Sequence, residues 1–202
     1  MNKGKLFIIS GPSGSGKDTL LQELFKVRPE IKFSISSITR PMRQGEVEGG
    51  KYHFISREEF EELIKNDALL EYNVFVGNYY GTPKAPVVEA LDRGEDMILE
   101  LDVNGAALVK QKMPEAISVF IMPPSFEVLK NRLSGRGTEA PEVVQKRLNV
   151  ALGEIKRAAD YDFIVVNDKL NEATNDLLSV ILGQKLKTES EKDIIDEVLK
   201  QC

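Results

Sequence analysis

Several kinds of chemistry are excluded by what this chain has little of. It carries one cysteine, Cys202, and one histidine, His53. A single thiol forms no internal disulfide and is too few for a structural zinc site. A single imidazole leaves little scope for histidine acid–base chemistry, and His53, inside the stretch Tyr52 to Ile55, reads as a surface or packing residue. No apolar run approaches the roughly 18 residues of a membrane span, and Leu6 to Ile9 is too short for the core of a signal peptide. A net charge of -5 with 29% charged residues gives no general attraction to nucleic acid or to an anionic membrane. Any phosphate binding must therefore come from locally clustered cations. With 202 residues and 42% hydrophobic content, one compact cytoplasmic unit is expected.

What is present has a repeating order. Lys5 to Ser10 is an apolar run bounded by glycines, suited to a strand buried on both faces, and Thr19 to Phe25 follows with helical spacing. The alternation returns at Met97 to Leu101, Val119 to Met122 and Phe163 to Val166, each followed by a polar stretch with helical spacing. That is the pattern of a parallel α/β sheet. Between residues 34 and 86 the texture changes to aromatic and β-branched segments, Tyr52 to Ile55 and Leu69 to Val76, around one helix capped by Ser56 and Glu59. This part reads as an insertion with antiparallel strands of its own. Gly135 to Pro141 reads as a second, smaller and mobile insertion that opens a helix at Glu142. From Lys185 onward the chain is strongly charged, and a surface helix is expected at its end.

The segment Gly11-Pro12-Ser13-Gly14-Ser15-Gly16-Lys17 fits the first seven positions of the P-loop pattern and lies between a strand and a helix, where the mechanism needs it. Glycines let successive backbone N–H groups turn toward one anion, the helix N-terminus adds its dipole, and Lys17 adds a full charge for the outer phosphates. A plain glycine-rich turn with a capping lysine is the alternative. The dinucleotide fingerprint fits less well, because Gly14, Gly16 and Thr19 miss its last glycine and Lys17 is foreign to it. The pattern next asks for Ser or Thr to ligate magnesium, whereas this chain has Asp18, with Thr19 one residue later. Asp18 is either a hard-oxygen ligand for Mg2+ or a carboxylate that favours the helix dipole.

Ser36-Ser37-Ile38-Thr39-Arg40-Pro41-Met42-Arg43-Gln44-Gly45-Glu46, Gly77-Asn78-Tyr79-Tyr80-Gly81-Thr82 and Glu100-Leu101-Asp102-Val103-Asn104-Gly105 together resemble the guanylate kinases, and the likeness covers nearly the whole chain. The resemblance implies an α/β fold: a P-loop NTPase-type parallel five-stranded core sheet with helices on both faces (1–33 and 87–202), a monophosphate-binding insertion (34–86) and a short lid (about 135–141). It implies ATP, with Mg2+, as donor, bound by Gly11 to Thr19 and, near the adenine, by Asn167 and Asp168. GMP or dGMP is the implied acceptor, its phosphate held by Arg40, Arg43, Tyr52 and Tyr80. Guanine would be read by Glu71, Ser36 and Asp102, with Thr82 nearby.

An ionised carboxylate only accepts hydrogen bonds, which suits the ring N–H and amine of guanine and repels the acceptor nitrogen of adenine. Forked guanidinium groups suit phosphate oxygens. Taken singly, each arginine could be a solvated surface charge and Glu71 an exposed strand residue. The resemblance further implies Arg132 and Arg136 from the lid and Arg147 from the following helix as ATP-facing cations, with Lys17 and Arg40 completing the catalytic set. Glu100 stands where such enzymes usually have Asp, and its extra methylene would shift a metal or lysine contact. Because the acceptor phosphate is already largely ionised, with a second pKa of about 6, no strong base is required. Three rival readings stand beside it: a same-fold kinase for ribose 1,5-bisphosphate, which Asp18 favours, a non-catalytic interaction module, and a P-loop hydrolase or switch protein, which would leave the arginine pair Arg40 and Arg43 unexplained. A monomer or homo-oligomer without nucleic-acid or membrane partners is expected.

Overall fold

The computed structural model describes residues 3–135, 141–188 and 192–200. At its centre lies β1 (Leu6–Ser10), all five residues of which are buried. It pairs in parallel with β7 (Met97–Glu100) on one side and β8 (Ile117–Met122) on the other. The edges are β2 (Lys32–Phe33), beside β7, and β9 (Phe163–Val166), beside β8, giving the order β2-β7-β1-β8-β9. Successive side chains of β1 leave on opposite faces, and both faces are covered, so Leu6 to Ile9 are all apolar, while the buried Ser10 at the end donates its hydroxyl to Leu101 O at 2.7 Å. Phe7 and Ile9 pack with Leu20 and Leu24 of α1 (Lys17–Val27) and with Leu177 and Ile181 of α7 (Leu170–Lys185). Leu6 and Ile8 pack with Val87 of α3 (Lys84–Asp92) and Val109 of α4 (Val103–Lys112). The chain leaves β1 toward β2 on one side, and the β7-to-β8 connection crosses to the other. A crevice opens at such a switch point, beyond the carboxyl ends of the strands.

The second sheet has the order β4-β3-β6-β5, from β3 (Ser36–Ile38), β4 (Tyr52–Phe54), β5 (Leu69–Phe75) and β6 (Asn78–Pro83). The sheet is mixed where antiparallel strands were expected. β6 is antiparallel to both β3 and β5, but β3 and β4 run parallel. The long connection from Thr39 to Lys51 brings the chain back to start β4 in the direction of β3, as a tight hairpin turn could not. The helix α2 (Arg57–Lys65) opens with the expected reciprocal cap: Glu59 N donates to Ser56 Oγ at 3.1 Å and Ser56 N to Glu59 Oε2 at 2.7 Å. Its buried Phe60 stacks on Tyr79 of β6, with centroids 4.9 Å apart and planes 9° from parallel.

Beyond β8, α5 (Phe126–Ser134) and α6 (Pro141–Lys156) pack through Leu129, Leu133, Leu148 and Ala151. Of the smaller insertion between them, residues 136–140, with Arg136, lie outside the described residues. α8 (Lys192–Leu199) forms near the end of the chain, with Ile194, Ile195 and Leu199 exposed.

Phe60 fills the space between α2 and the second sheet, so Phe60→Ala is expected to cost about 3–5 kcal/mol in denaturant unfolding. A loss below about 1 kcal/mol would contradict its placement as the anchor of that sheet.

Candidate active site

The loop between β1 and α1 is shaped by backbone angles that side chains rarely tolerate. Gly14 and Gly16 both have φ of 86°, and Gly16 is the N-cap of α1. A Cβ on Gly16 would stand 2.5 Å from Asn167 Nδ2, so the position also has no room. Asn167 is buried at the end of β9, and its amide donates to Ser15 O at 2.8 Å. Arg132 donates to Ser15 O at 3.3 Å and to Asn167 O at 3.0 Å. Both side chains therefore brace the loop from outside. Arg132, expected from the lid, belongs instead to α5, one helical element earlier. Arg147 on α6 reaches Ser13 Oγ at 2.8 Å.

Lys17 folds over its own loop, its Nζ 2.6 Å from Gly11 O and 3.3 Å from Pro12 O. Burial pushes the ammonium below its ordinary pKa, against the opposing pull of Glu100, Glu154 and Asp18. Asp18 is held by Lys51 Nζ at 2.6 Å, and the same ammonium lies 2.9 Å from Glu100 Oε2. Partial burial would raise the Asp18 carboxyl, but the Lys51 hydrogen bond and charge outweigh it and hold the group low.

Around this loop opens a cleft of about 770 Å³. Its wall includes most of Gly11 to Thr19, together with Arg132, Arg147, Asn167 and Asp168. Across it stand Ser36, Tyr52 and Asp102, so residues expected for two different ligands face one space. Arg40, Arg43, Glu71, Tyr80 and Thr82 are not part of that wall. Arg40 is buried over the rings of Tyr52 and Phe54, at 5.5 and 5.7 Å, and its fork grips Glu46 at 2.7 and 2.6 Å. The Arg43 side chain is exposed, while its backbone N–H also donates to Glu46, at 2.7 Å. Tyr80 lies half-buried on β6 against Phe75.

Thr82 Oγ1 donates to Glu71 Oε1 at 2.6 Å. Burial raises the pKa of Glu71, the Thr82 hydrogen bond opposes the rise, and the nearby Asp102 charge adds to it. Asp102 caps α4, accepting from the N–H groups of Asn104 and Gly105 at 2.9 and 2.8 Å. A Cβ on Gly105 would come within 3.1 Å of Glu71 Oε2 and 3.5 Å of Asp102 Oδ1. Glycine at this position leaves room for the Glu71 carboxylate beside the N-terminus of α4.

Four residues with a part in this geometry had no role in the sequence reading: Lys51, Gly105, Glu154 and, as the partner of Arg40, Glu46. Glu154, on α6, lines the cleft, and burial raises its carboxyl pKa. Glu46 and Gly105 lay in motifs singled out above, without a role of their own; Lys51 and Glu154 are brought in by tertiary folding from positions with no local signal.

A family model for guanylate kinase matches residues 3–184. The chain belongs to the guanylate kinase family. The guanylate kinase of Carboxydothermus hydrogenoformans is 50% identical over 187 residues, covering 93% of this chain and 92% of that one. That of Clostridioides difficile is 43% identical over 201 residues, covering 100% and 98%. A crystal structure of guanylate kinase from Anaplasma phagocytophilum superposes with a TM-score of 0.74 at 31% identity, covering 93% of this chain and 89% of that one.

Hydrogen bonds from Arg40 and the Arg43 backbone lower the Glu46 carboxyl from 4.5 to about 2. A depressed carboxylate contributes stability above its unfolded value, which is lost as pH falls through the folded one. The Arg40–Glu46 pair should therefore persist below pH 4.5 and dissolve near pH 2. A carbon-detected NMR titration of Glu46 checks this; a midpoint at the ordinary value would contradict the pairing.

Proposed function

We propose that this member of the guanylate kinase family transfers the γ-phosphate of ATP to GMP, and to dGMP, giving ADP and GDP. The observation that carries the reading is the shared cleft, in which the glycine loop and Lys17 face Ser36, Tyr52 and Asp102. Residues 1–33 and 87–202 form the donor core in this reading, with the lid at about 135–141, and residues 34–86 form the acceptor insertion. We assign the protein to the cytoplasm as a monomer or homo-oligomer; among the described residues no helix is long and apolar enough to cross a membrane.

On the donor side, the loop N–H groups and the α1 N-terminus cradle the phosphates. Lys17 leaves the carbonyls of Gly11 and Pro12 for the outer phosphates. Arg132, Arg147 and, from the lid, Arg136 offset the charge that builds as the nucleotides meet. Asn167 and Asp168 border the adenine end. On the acceptor side, Arg40 exchanges Glu46 for the GMP phosphate, joined by Arg43, Tyr52 and Tyr80. Glu71, with Thr82, Ser36 and Asp102, accepts from the guanine N–H groups. An acceptor phosphate oxygen then bonds to the γ-phosphorus while the bond to the β-bridging oxygen breaks, and ADP departs with that electron pair. Closure of insertion and lid over the cleft keeps water from taking the phosphate.

The donor chemistry fits Mg2+. Asp18 and Glu100 present hard oxygens to one cation, here the Lys51 ammonium, and among the described residues no third His, Cys, Asp or Glu joins them. Such a sparse protein share suits an ion that takes one or two carboxylates and completes its shell with phosphate oxygens and water. Asp18 and Glu100, with the Thr19 hydroxyl nearby, would hold it, and when bound it supplies charge neutralisation of the β- and γ-phosphates.

An ADP-release assay with ATP and magnesium over GMP, dGMP, AMP, UMP and ribose 1,5-bisphosphate tests the assignment. GMP should dominate, Lys17→Ala should lower kcat/KM by about a thousandfold, and Glu71→Gln should erode the preference for GMP over AMP by about 10- to 100-fold. Turnover confined to the sugar phosphate would overturn the acceptor. GMP binding should also weaken on acidification at a pH above the ordinary carboxyl range, because the folded-state pKa of Glu71 is raised and its protonated form no longer matches guanine. Calorimetric GMP titrations should lose that dependence in Glu71→Gln.

A further inference from the structure

Lys51 has no part in the reaction as proposed above, yet its ammonium is seated between the two carboxylates that flank the donor loop. It is delivered by a closed turn of the insertion, in which Gly50 N donates to Val47 O at 3.1 Å and Gly49 N to Tyr52 O at 3.0 Å. From that turn it reaches Asp18 on the first turn of α1 and Glu100 at the end of β7, at 2.6 and 2.9 Å. The Lys17 ammonium, by contrast, is hydrogen-bonded to the loop carbonyls of Gly11 and Pro12 and acts on these carboxylates only through its charge. Asp18 and Glu100 thus converge on a single point, and a monovalent cation occupies it.

We propose that Lys51 is a resident counter-cation that fills the seat of the divalent ion between Asp18 and Glu100, excluding free metal until metal and ATP arrive together. The inference rests on the donor-site reading above. A divalent ion entering beside the ammonium meets a like charge at close range. Magnesium also gives up its water reluctantly and gains little from two carboxylates already paired. A bound triphosphate changes both sides of that balance: it supplies further oxygen ligands and negative charge, which draw the metal in. Displaced from its two partners, Lys51 remains on the insertion next to Tyr52, where its charge faces the acceptor phosphate. An ion pair that spans the two substrate regions in the empty enzyme is thereby exchanged for substrate contacts. The order of loading is built into the fold: the metal enters with the donor, and the cation it replaces passes toward the acceptor.

The test uses nucleotide-free protein and Mn2+ alone, read by electron paramagnetic resonance of the free ion. Lys51→Met, with Lys51→Gln as a second variant and thermal melts to establish folding, should bind one Mn2+ at least ten-fold more tightly than the unsubstituted protein. The gain should vanish in Lys51→Met/Asp18→Asn and in Lys51→Met/Glu100→Gln. Equal Mn2+ affinity with and without Lys51 would overturn the proposal, as would a gain that survives removal of either carboxylate. The readout involves no nucleotide, so a failure here is distinct from a failure of the donor-site reading, which would appear as loss of binding of an ATP analogue to the unsubstituted protein.

Discussion

A phosphate cradle made of backbone N–H groups needs a chain path that side chains obstruct, and the rest of this molecule is arranged around that requirement. The loop from Gly11 to Gly16 turns through left-handed conformations and is pressed by Asn167, the residue after β9, and by Leu129 and Leu133 from α5. Those neighbours come from far along the chain, so the loop is shaped only when β1, β8 and β9 are in register and α5 is packed on them. The central sheet is accordingly stiff and apolar: the side chains of β1 interlock with helices on both faces, leaving the polar work to the carboxyl ends of the strands.

The second constraint is charge. A site for two phosphorylated nucleotides must collect cations, and a cluster of buried or half-buried cations is costly until it is paired. In this chain each finds an internal partner: Arg40 grips Glu46, Lys51 holds Asp18 and Glu100, and Lys17 and Arg132 lie on loop carbonyls. In the proposed function substrate phosphates replace these protein acceptors, so that binding would exchange one set of charge-assisted hydrogen bonds for another and introduce no new bare charge. The two carboxylates proposed to read guanine pose the opposite problem. The Asp102 charge acts on Glu71, Gly105 leaves room for the Glu71 carboxylate, and each carboxylate is partly satisfied by a donor, the Thr82 hydroxyl or the N-terminus of α4.

Much of this was legible in the sequence because it depends on local pattern. The apolar runs marked the ends of β1, β8 and β9 closely, and Ser56 and Glu59 announced their own cap, since both signals act over a few residues. β2, two residues at a sheet edge, carried no periodicity to detect, and the parallel pairing of β3 with β4 depends on the path of a long connection that composition does not encode. The same division holds at the site. Lys17 and the glycines were readable because the loop they shape is contiguous in sequence. Lys51 and Gly105 were not, because their meaning comes from Asp18, Glu100 and Glu71, which only the fold brings to them. The residue after Lys17 was read as either a metal ligand or a helix-dipole partner, whereas the folded protein gives Asp18 a third role as the partner of a lysine.

The central claim is that one cleft holds two nucleotides at once, in adjoining but separate sites. Isothermal titration of a non-hydrolysable ATP analogue, with magnesium, into protein saturated with GMP tests it most directly. One analogue should bind per chain with GMP retained, at an affinity equal to or tighter than that in the absence of GMP. Displacement of GMP by the analogue would contradict it, because the residues assigned to donor and acceptor would then form a single site.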